Sequence, residues 1–202
     1  MLASASPRRR ELLATLGVSF EVVVPEVDEL INGEPGVLVV ENARRKARAG
    51  LEQVGEGEGA LVLGVDTDVS LDGRLLGKAA TEAEARGRLE TLSGRTHEVL
   101  SGVVLLGRVE LMTDRVTRST TAAGAVAERS GVATSHVQFR ALDQSTIDLY
   151  VRSGEWRDRA GAYAIQGLGS ILVEELHGDF SNVVGLPLTL LLELAPELGK
   201  SL

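Results

Sequence analysis

A chain of 202 residues is long enough for one domain with an ordinary core, and with 44% apolar but only 3% aromatic residues that core is built of Leu, Val and Ala. The net charge of −8 argues against nucleic acid as the main partner, because such binders cluster Lys and Arg against phosphates, and the scarce aromatics argue against stacking on single-stranded bases. Cysteine is absent, which excludes disulfides and thiolate metal sites; no apolar run approaches the ~20 residues of a membrane span, and Met1 leads into Arg8-Arg9-Arg10 without a signal peptide, so a cytoplasmic protein with no membrane partner is expected.

In chain order, residues 1–3 read as a short strand. Ser6 is a good N-cap and Pro7 a good first residue for a helix over 8–16, with Leu12, Leu13 and Leu16 on one face and Gly17 ending it. Arg8, Arg9 and Arg10 crowd the first turn, where the helix dipole disfavours cations. Two readings fit that spacing: an anionic ligand held by free N–H groups and guanidiniums, or a solvated basic cluster. Residues 19–24 alternate as a strand. The pair Asp28-Glu29 reads by itself as solvated, and Pro35-Gly36 opens a helix over 37–53 carrying Arg44, Arg45, Lys46 and Arg48 opposite Ala43, Ala47 and Leu51.

The stretch 61–78, LVLGVDTDVSLDGRLLGK, carries the most chemistry. An apolar strand over 61–65 is expected to end at Asp66, Thr67 and Asp68. Asp72-Gly73 is a two-residue hairpin turn, and Lys78 follows. A carboxylate directly after an apolar run is costly without a partner, so Asp66 is a candidate functional residue. Carboxylates there can hold a divalent cation or take a proton from water, and a lysine nearby suits a negatively charged, metal-bound substrate.

Thr81 with Glu84 three residues on starts a helix that runs to Leu92. Residues 95–106 form a long strand, 107–131 have no clear period and read as an insertion or an extended hairpin, and 132–140 form another strand. A helix over 145–153 ends at Gly154. The glycine-bearing segment 155–167 is a shaped loop of the kind that lets backbone approach a ligand. A strand over 170–176, a turn over 178–182 and an apolar helix over 183–194, with Pro187 in its first turns, complete the chain. Alternating strands and helices give an α/β class with a mixed sheet. The histidines His97, His136 and His177 lack metal-ligand spacing, and neither a P-loop nor a dinucleotide-binding glycine fingerprint is present.

Several blocks together resemble the Maf family of nucleoside triphosphate pyrophosphatases. They are Leu2-Ala3-Ser4-Ala5-Ser6-Pro7-Arg8-Arg9-Arg10-Glu11-Leu12-Leu13, Asp28-Glu29, Ala43-Arg44-Arg45-Lys46-Ala47 and Gly64-Val65-Asp66-Thr67. Gly77-Lys78, Leu92-Ser93-Gly94-Arg95-Thr96-His97, Ala160-Gly161-Ala162-Tyr163-Ala164-Ile165-Gln166-Gly167 and Asn182-Val183-Val184-Gly185-Leu186-Pro187 continue the match, in the family's order and over nearly the whole chain. The resemblance implies one Maf-like nucleotide pyrophosphatase domain over 1–202, an elongated mixed sheet with helices, and two lobes around a central cleft as in the related ITPases. It implies hydrolysis of a nucleoside triphosphate to the monophosphate and pyrophosphate with Mg or Mn, and by analogy a homodimer. The Ser-Pro-Arg-Arg opening and the Ile-Gln-Gly block look like the branch that acts on dTTP and UTP; the branch that prefers 7-methyl-GTP differs there.

By position, the resemblance makes Asp66 the proton acceptor, with Lys46, Lys78 and Glu29 beside it in catalysis. Glu29 and Asp66 would carry the metal. Ser4, Ser6, Arg8 and Arg9 would bind substrate, and Arg8, Thr67 and Gln166 would set base choice. The resemblance thereby turns the arginine cluster from ambiguous, and the Asp28-Glu29 pair from solvated, to functional. The chain departs from the family pattern in three places: Ala79 stands where proline is usual, Asp68 where an apolar residue is usual, and the connection around 107–128 is longer. Asp66-Thr67-Asp68-Val69 also resembles the D-x-D motif of haloacid-dehalogenase phosphatases, but Gly178-Asp179 lacks the later acidic partner which that chemistry needs. A nucleotide-binding regulator of cell division without turnover is the reading from a different class; the joint presence of Asp66, Glu29, Lys46 and Lys78 argues against it.

Overall fold

The apolar run after residue 60 forms the centre of a sheet. A computed structural model describes residues 1–54, 61–108 and 126–201. In it, β3 (Val62–Leu71) pairs antiparallel with β5 (Thr96–Arg108), from Val62 opposite Leu106 to Ser70 opposite Glu98. On the far side β5 pairs with β6 (Val126–Phe139), and β6 with β7 (Val173–His177), both antiparallel. On the near side β1 (Leu2–Ala3) lies parallel to β3, and β2 (Val22–Val23) parallel to β1. A short β4 (Arg74–Leu75) folds back on the end of β3 through the expected Asp72-Gly73 turn, where both residues have positive φ. The result is a seven-stranded mixed sheet in the order β2-β1-β3-β5-β6-β7, with β4 on β3.

The two faces of β3 meet different partners because strand side chains alternate. On one face α2 (Pro35–Val54) lies over Val62, Val104 and Leu106, packing Ala43 and Ala47 against them. Glycine permits that close approach. A Cβ at Gly64 would stand 2.2 Å from the Ala43 carbonyl oxygen, and one at Gly102 would stand 2.2 Å from the Val39 carbonyl oxygen. On the other face Leu63, Val65, Val103 and Leu105 pack with Leu13 of α1 (Pro7–Ala14), Leu191 of α6 (Leu188–Leu194) and Leu186 just before α6. Further along, α3 (Glu82–Leu92) and α4 (Gln144–Ser153) enclose a third cluster around Val69, Leu89, Phe139, Tyr150 and Tyr163. Among the described residues no helix is long and apolar enough to cross a membrane.

Several elements differ from the sequence expectation, each for a local reason. β3 does not end at Asp66; Val69 and Leu71 stay buried and β5 keeps pairing as far as Ser70. The strand expected over 19–24 is reduced to Val22–Val23. The strand expected over 170–176 begins as a 3-10 turn, Gly167–Leu172, and becomes β7 only at Val173. The turn expected over 178–182 is the start of α5 (Phe180–Val184), because the Asp179 carboxylate accepts from Ser181 N at 2.7 Å and Asn182 N at 3.4 Å. The helix expected over 183–194 is two helices, interrupted at Gly185, whose φ is +127°, and at Pro187. Within 107–131, Gly107 and Arg108 extend β5 and residues 126–131 extend β6; the expectations for 109–125 and for the loop at 55–59 fall outside the described residues.

Candidate active site

The edge of β3 is covered unevenly. β1 pairs with it only as far as Gly64, and β4 only from Ser70 onward. Between those points lie Asp66, Thr67 and Asp68, and the loop after β1 turns away through Ser4, Ala5 and Ser6. A cleft opens there. Its larger part, about 610 Å³, is lined by Ser4, Glu29 and Lys46 among others. A smaller part, about 110 Å³, is lined by Thr67, Ile165, Gln166 and Gly185. Ser6, Arg8, Arg9, Lys78, Asp158 and Arg159 line both.

Lys46 ties the acidic residues together. It lies four residues after Asn42 on α2, so both side chains leave the same face of the helix toward β3. Lys46 Nζ stands 2.6 Å from Asp66 Oδ1 and 2.5 Å from Glu29 Oε1. Asp66 is buried, at 8% exposure, and meets the cleft through that ammonium. Asn42, which sequence reasoning missed, donates from Nδ2 to Asp66 Oδ2 at 3.3 Å and to the Leu30 carbonyl at 3.0 Å, while its Oδ1 accepts from Leu30 N at 2.7 Å. One buried amide thus joins α2, β3 and the loop that carries Glu29. Its only sequence signal is its spacing from Lys46.

The arginine cluster is resolved differently for each member. Ser6 Oγ accepts from Arg9 N at 3.4 Å and caps α1 as expected. The Arg9 guanidinium donates to the Gly185 carbonyl at 2.8 Å, to Ser4 Oγ at 3.2 Å and to Thr67 Oγ1 at 3.0 Å. Its burial pulls its pKa below the ordinary arginine value, opposed by the charges of Asp66 and Glu29. Arg8 Nε donates to the Val184 carbonyl at 3.3 Å, and its Nη1 is buried without a partner. The acceptors Val184 and Gly185 exist because the chain leaves α5 there, so the interrupted helix supplies the carbonyls that hold the arginines. Thr67 Oγ1 also contacts Ser101 Oγ at 2.8 Å and donates to the Gly185 carbonyl at 3.3 Å. Gln166 is exposed at the mouth of the smaller cavity.

Lys78 is held by its backbone. It forms an antiparallel bridge with Ala160, and Gly161 N donates to the Gly77 carbonyl at 2.8 Å. The preceding Gly77 is fixed twice more, by its N–H to Asp68 Oδ1 at 3.1 Å and by Arg88 Nη1 to its carbonyl at 2.6 Å. Asp68 Oδ1 also accepts from Val69 N at 2.7 Å. Burial pushes the Asp68 carboxyl up to about 6, with Asp66 adding to the rise and the Val69 and Gly77 N–H groups opposing it. Asp68 therefore acts on the loop that carries Lys78. The bridge also brings Asp158 and Arg159 to the cleft; sequence reasoning named the loop 155–167 but neither of these residues as a ligand.

The donor set suits a hard divalent cation. Glu29 and Asp66 supply carboxylate oxygens, and both already converge on one cationic atom, Lys46 Nζ. Among the described residues no group of three or more His, Cys, Asp and Glu side chains could hold a metal by itself. A cation at this place would be completed by substrate phosphates and water, which is the usual arrangement for Mg. His97 takes no part: it is buried in β5, with Nε2 2.8 Å from the Tyr163 hydroxyl and edge-on contacts to Phe139 and Tyr163.

A family model described as "Maf-like protein" matches residues 1–198. A Deinococcus radiodurans protein named dTTP/UTP pyrophosphatase is 44% identical over 202 residues, covering 100% of this chain and 93% of its own. Proteins of the same name from Thermococcus gammatolerans and Bacillus cereus are each 42% identical, over 98% and 94% of this chain and 96% and 90% of their own. A solved structure titled nucleoside-triphosphatase / dITP/XTP pyrophosphatase from Mycobacterium abscessus is a distant likeness, 19% identical over 70% of this chain and 74% of its own, with a TM-score of 0.40.

Proposed function

The chain belongs to the Maf family, and from that premise we propose that it hydrolyses dTTP and UTP to the monophosphate and pyrophosphate, the whole chain acting as one catalytic domain. The observation that carries this reading is the convergence of Glu29 and Asp66 on Lys46 at the floor of a cleft walled by Arg8, Lys78 and Arg159. Carboxylates that can activate water and hold a cation face side chains that can hold a polyanion. The cleft is thus basic in a protein whose net charge is −8.

In this reaction a water oxygen bonds to the α-phosphorus as the bond from that phosphorus to the α,β-bridging oxygen breaks. Asp66 accepts the proton the water loses, and pyrophosphate leaves. Lys46 and Asn42 hold the Asp66 carboxylate in place. Lys78 offsets the charge that grows on the phosphates. A divalent cation, Mg or Mn, would be held by Glu29 and Asp66 and would supply positive charge at the phosphate oxygens. Arg9, bound to Ser4, Thr67 and Gly185, fixes the loop after β1 against β3. At the smaller cavity the exposed amide of Gln166 offers one donor face and one acceptor face to a pyrimidine edge, beside Arg8 and Thr67.

Product analysis tests the proposal. The protein is incubated with Mg or Mn and with each of dTTP, UTP, CTP, GTP and 7-methyl-GTP, and products are separated by ion exchange. Monophosphate with pyrophosphate from dTTP and UTP is the expected result, and Asp66→Asn should lower kcat by roughly 10²–10⁴ without loss of folding. Turnover of 7-methyl-GTP alone would keep the reaction and refute the pyrimidine assignment. Binding without turnover of any nucleotide would point to the regulator instead.

A further inference from the structure

The cations of the cleft are not equally available. Lys46 is paired with Glu29 and Asp66. All three nitrogens of the Arg9 guanidinium donate to protein oxygens. Arg8 has one nitrogen on the Val184 carbonyl. The side chains of Lys78 and Arg159 have no hydrogen bond or ion pair to any described residue, and both residues line both parts of the cleft.

Arg159 is the less expected of these two. Its Nε is buried with no acceptor. Burial lowers its pKa with no neighbouring charge to offset it, whereas for Arg9 the charges of Asp66 and Glu29 oppose the shift. Asp158, next in the chain and on the same wall, closes no ion pair with it. A guanidinium nitrogen withdrawn from water without an acceptor costs free energy, and an anion that draws the half-buried group into a full set of hydrogen bonds offsets that cost. The backbone fixes where the anion would sit. The Lys78–Ala160 bridge and the Gly161 N to Gly77 carbonyl bond zip the Arg159 segment to the Lys78 segment, so the two cations share one wall.

We propose that Arg159 binds the substrate directly, gripping with Lys78 the phosphates that leave as pyrophosphate. The inference rests on the proposed function and adds a contact which neither the sequence reading nor the family resemblance supplied. A planar fork matches two non-bridging phosphate oxygens, whereas Gln166 and Thr67 on the smaller cavity are neutral and suit a base.

The test uses the separate products as probes. Inhibition of dTTP turnover by pyrophosphate and by dTMP is measured for the wild type, Arg159→Gln and Arg159→Lys, with thermal melts on each. Arg159→Gln should weaken pyrophosphate inhibition by about 10- to 100-fold, the size of a lost charge-assisted hydrogen-bond pair, and change dTMP inhibition by less than about 3-fold. Arg159→Lys should fall between, because it keeps the charge and loses the fork. Equal weakening of both products, or an unchanged pyrophosphate constant in a folded variant, overturns the assignment. If Gln destabilises the protein, the Lys variant decides by the same ratio. Wild-type protein that turns over dTTP while the ratio stays flat refutes Arg159 alone; wild-type protein that turns over neither dTTP nor UTP refutes the parent reading and this inference with it.

Discussion

A buried ionisable side chain needs a partner, and the site is best understood by asking where each partner is. Asp66 has Lys46 and Asn42, Arg9 has Ser4, Thr67 and the Gly185 carbonyl, and the half-buried Arg159 has its Nε buried without an acceptor, the gap that the proposed phosphate contact would fill. His97 solves the problem by staying neutral. It is 2% exposed between Phe139 and Tyr163, and burial pulls its pKa down to about 4 from the usual 6.5. The unfolded chain takes up a proton near pH 6.5 and the folded chain does not, so His97's contribution is intact above that pH and is lost as pH falls toward 4. The loss amounts to about 3 kcal/mol across that window. Chemical denaturation between pH 7.5 and 5 should therefore show a steeper fall for wild type than for His97→Gln; parallel slopes would mean that His97 titrates as an exposed histidine does.

At the scale of elements, the site depends on how closely α2 approaches the sheet. Asn42 and Lys46 reach Asp66 because Gly64 and Gly102 leave room for the α2 backbone. Gly102→Ala would place a carbon 2.2 Å from the Val39 carbonyl oxygen and 2.3 Å from its carbon, so the helix must move. Overpacking of this kind costs ~1–3 kcal/mol or more, and kcat should fall as well because Lys46 moves with the helix; a variant with unchanged denaturation midpoint and kcat would contradict this. The glycines were visible in the sequence, but their role was not, since nothing local says that a helix from a distant segment lands on them. The same limit explains α5. From sequence Asp179 is legible only as part of a turn, and the apolar spacing of 183–194 predicts one continuous helix across Gly185-Leu186-Pro187, although glycine and proline both signal a break. By contrast α1 and α3 are legible because Ser6 and Thr81 cap them, and α4 because its apolar residues repeat at helical spacing before Gly154; its cap, Asp143, is a structural finding. Asp66 is legible as a candidate site residue because it is a charge in an apolar run. Asn42 and Arg159 are not, because an amide or an arginine on a charged segment has a bland reading whose rejection requires the folded neighbours.

At the scale of the whole molecule, the cleft exists because two strands cover β3 incompletely. β1 stops at Gly64 and β4 starts at Ser70, so the exposed edge between them is lined from one side by α2 and from the other by α1, α5 and the loop at 155–167. Alternation along β3 sends Asp66 and Thr67 to opposite faces, one toward Lys46 and the other toward Arg9 and Ser101. In the proposed reaction this division would give one strand a hydrolytic side and a recognition side. Cations from segments far apart in sequence, Arg8, Lys46, Lys78 and Arg159, meet there within an acidic protein. In the proposed reaction water attacks the α-phosphorus, not the β- or γ-phosphorus. Hydrolysis of dTTP in ¹⁸O-labelled water, read by mass spectrometry of both products, tests it most directly. Label is expected in dTMP and none in pyrophosphate; label in pyrophosphate, or release of orthophosphate with dTDP, would refute attack at the α-phosphorus.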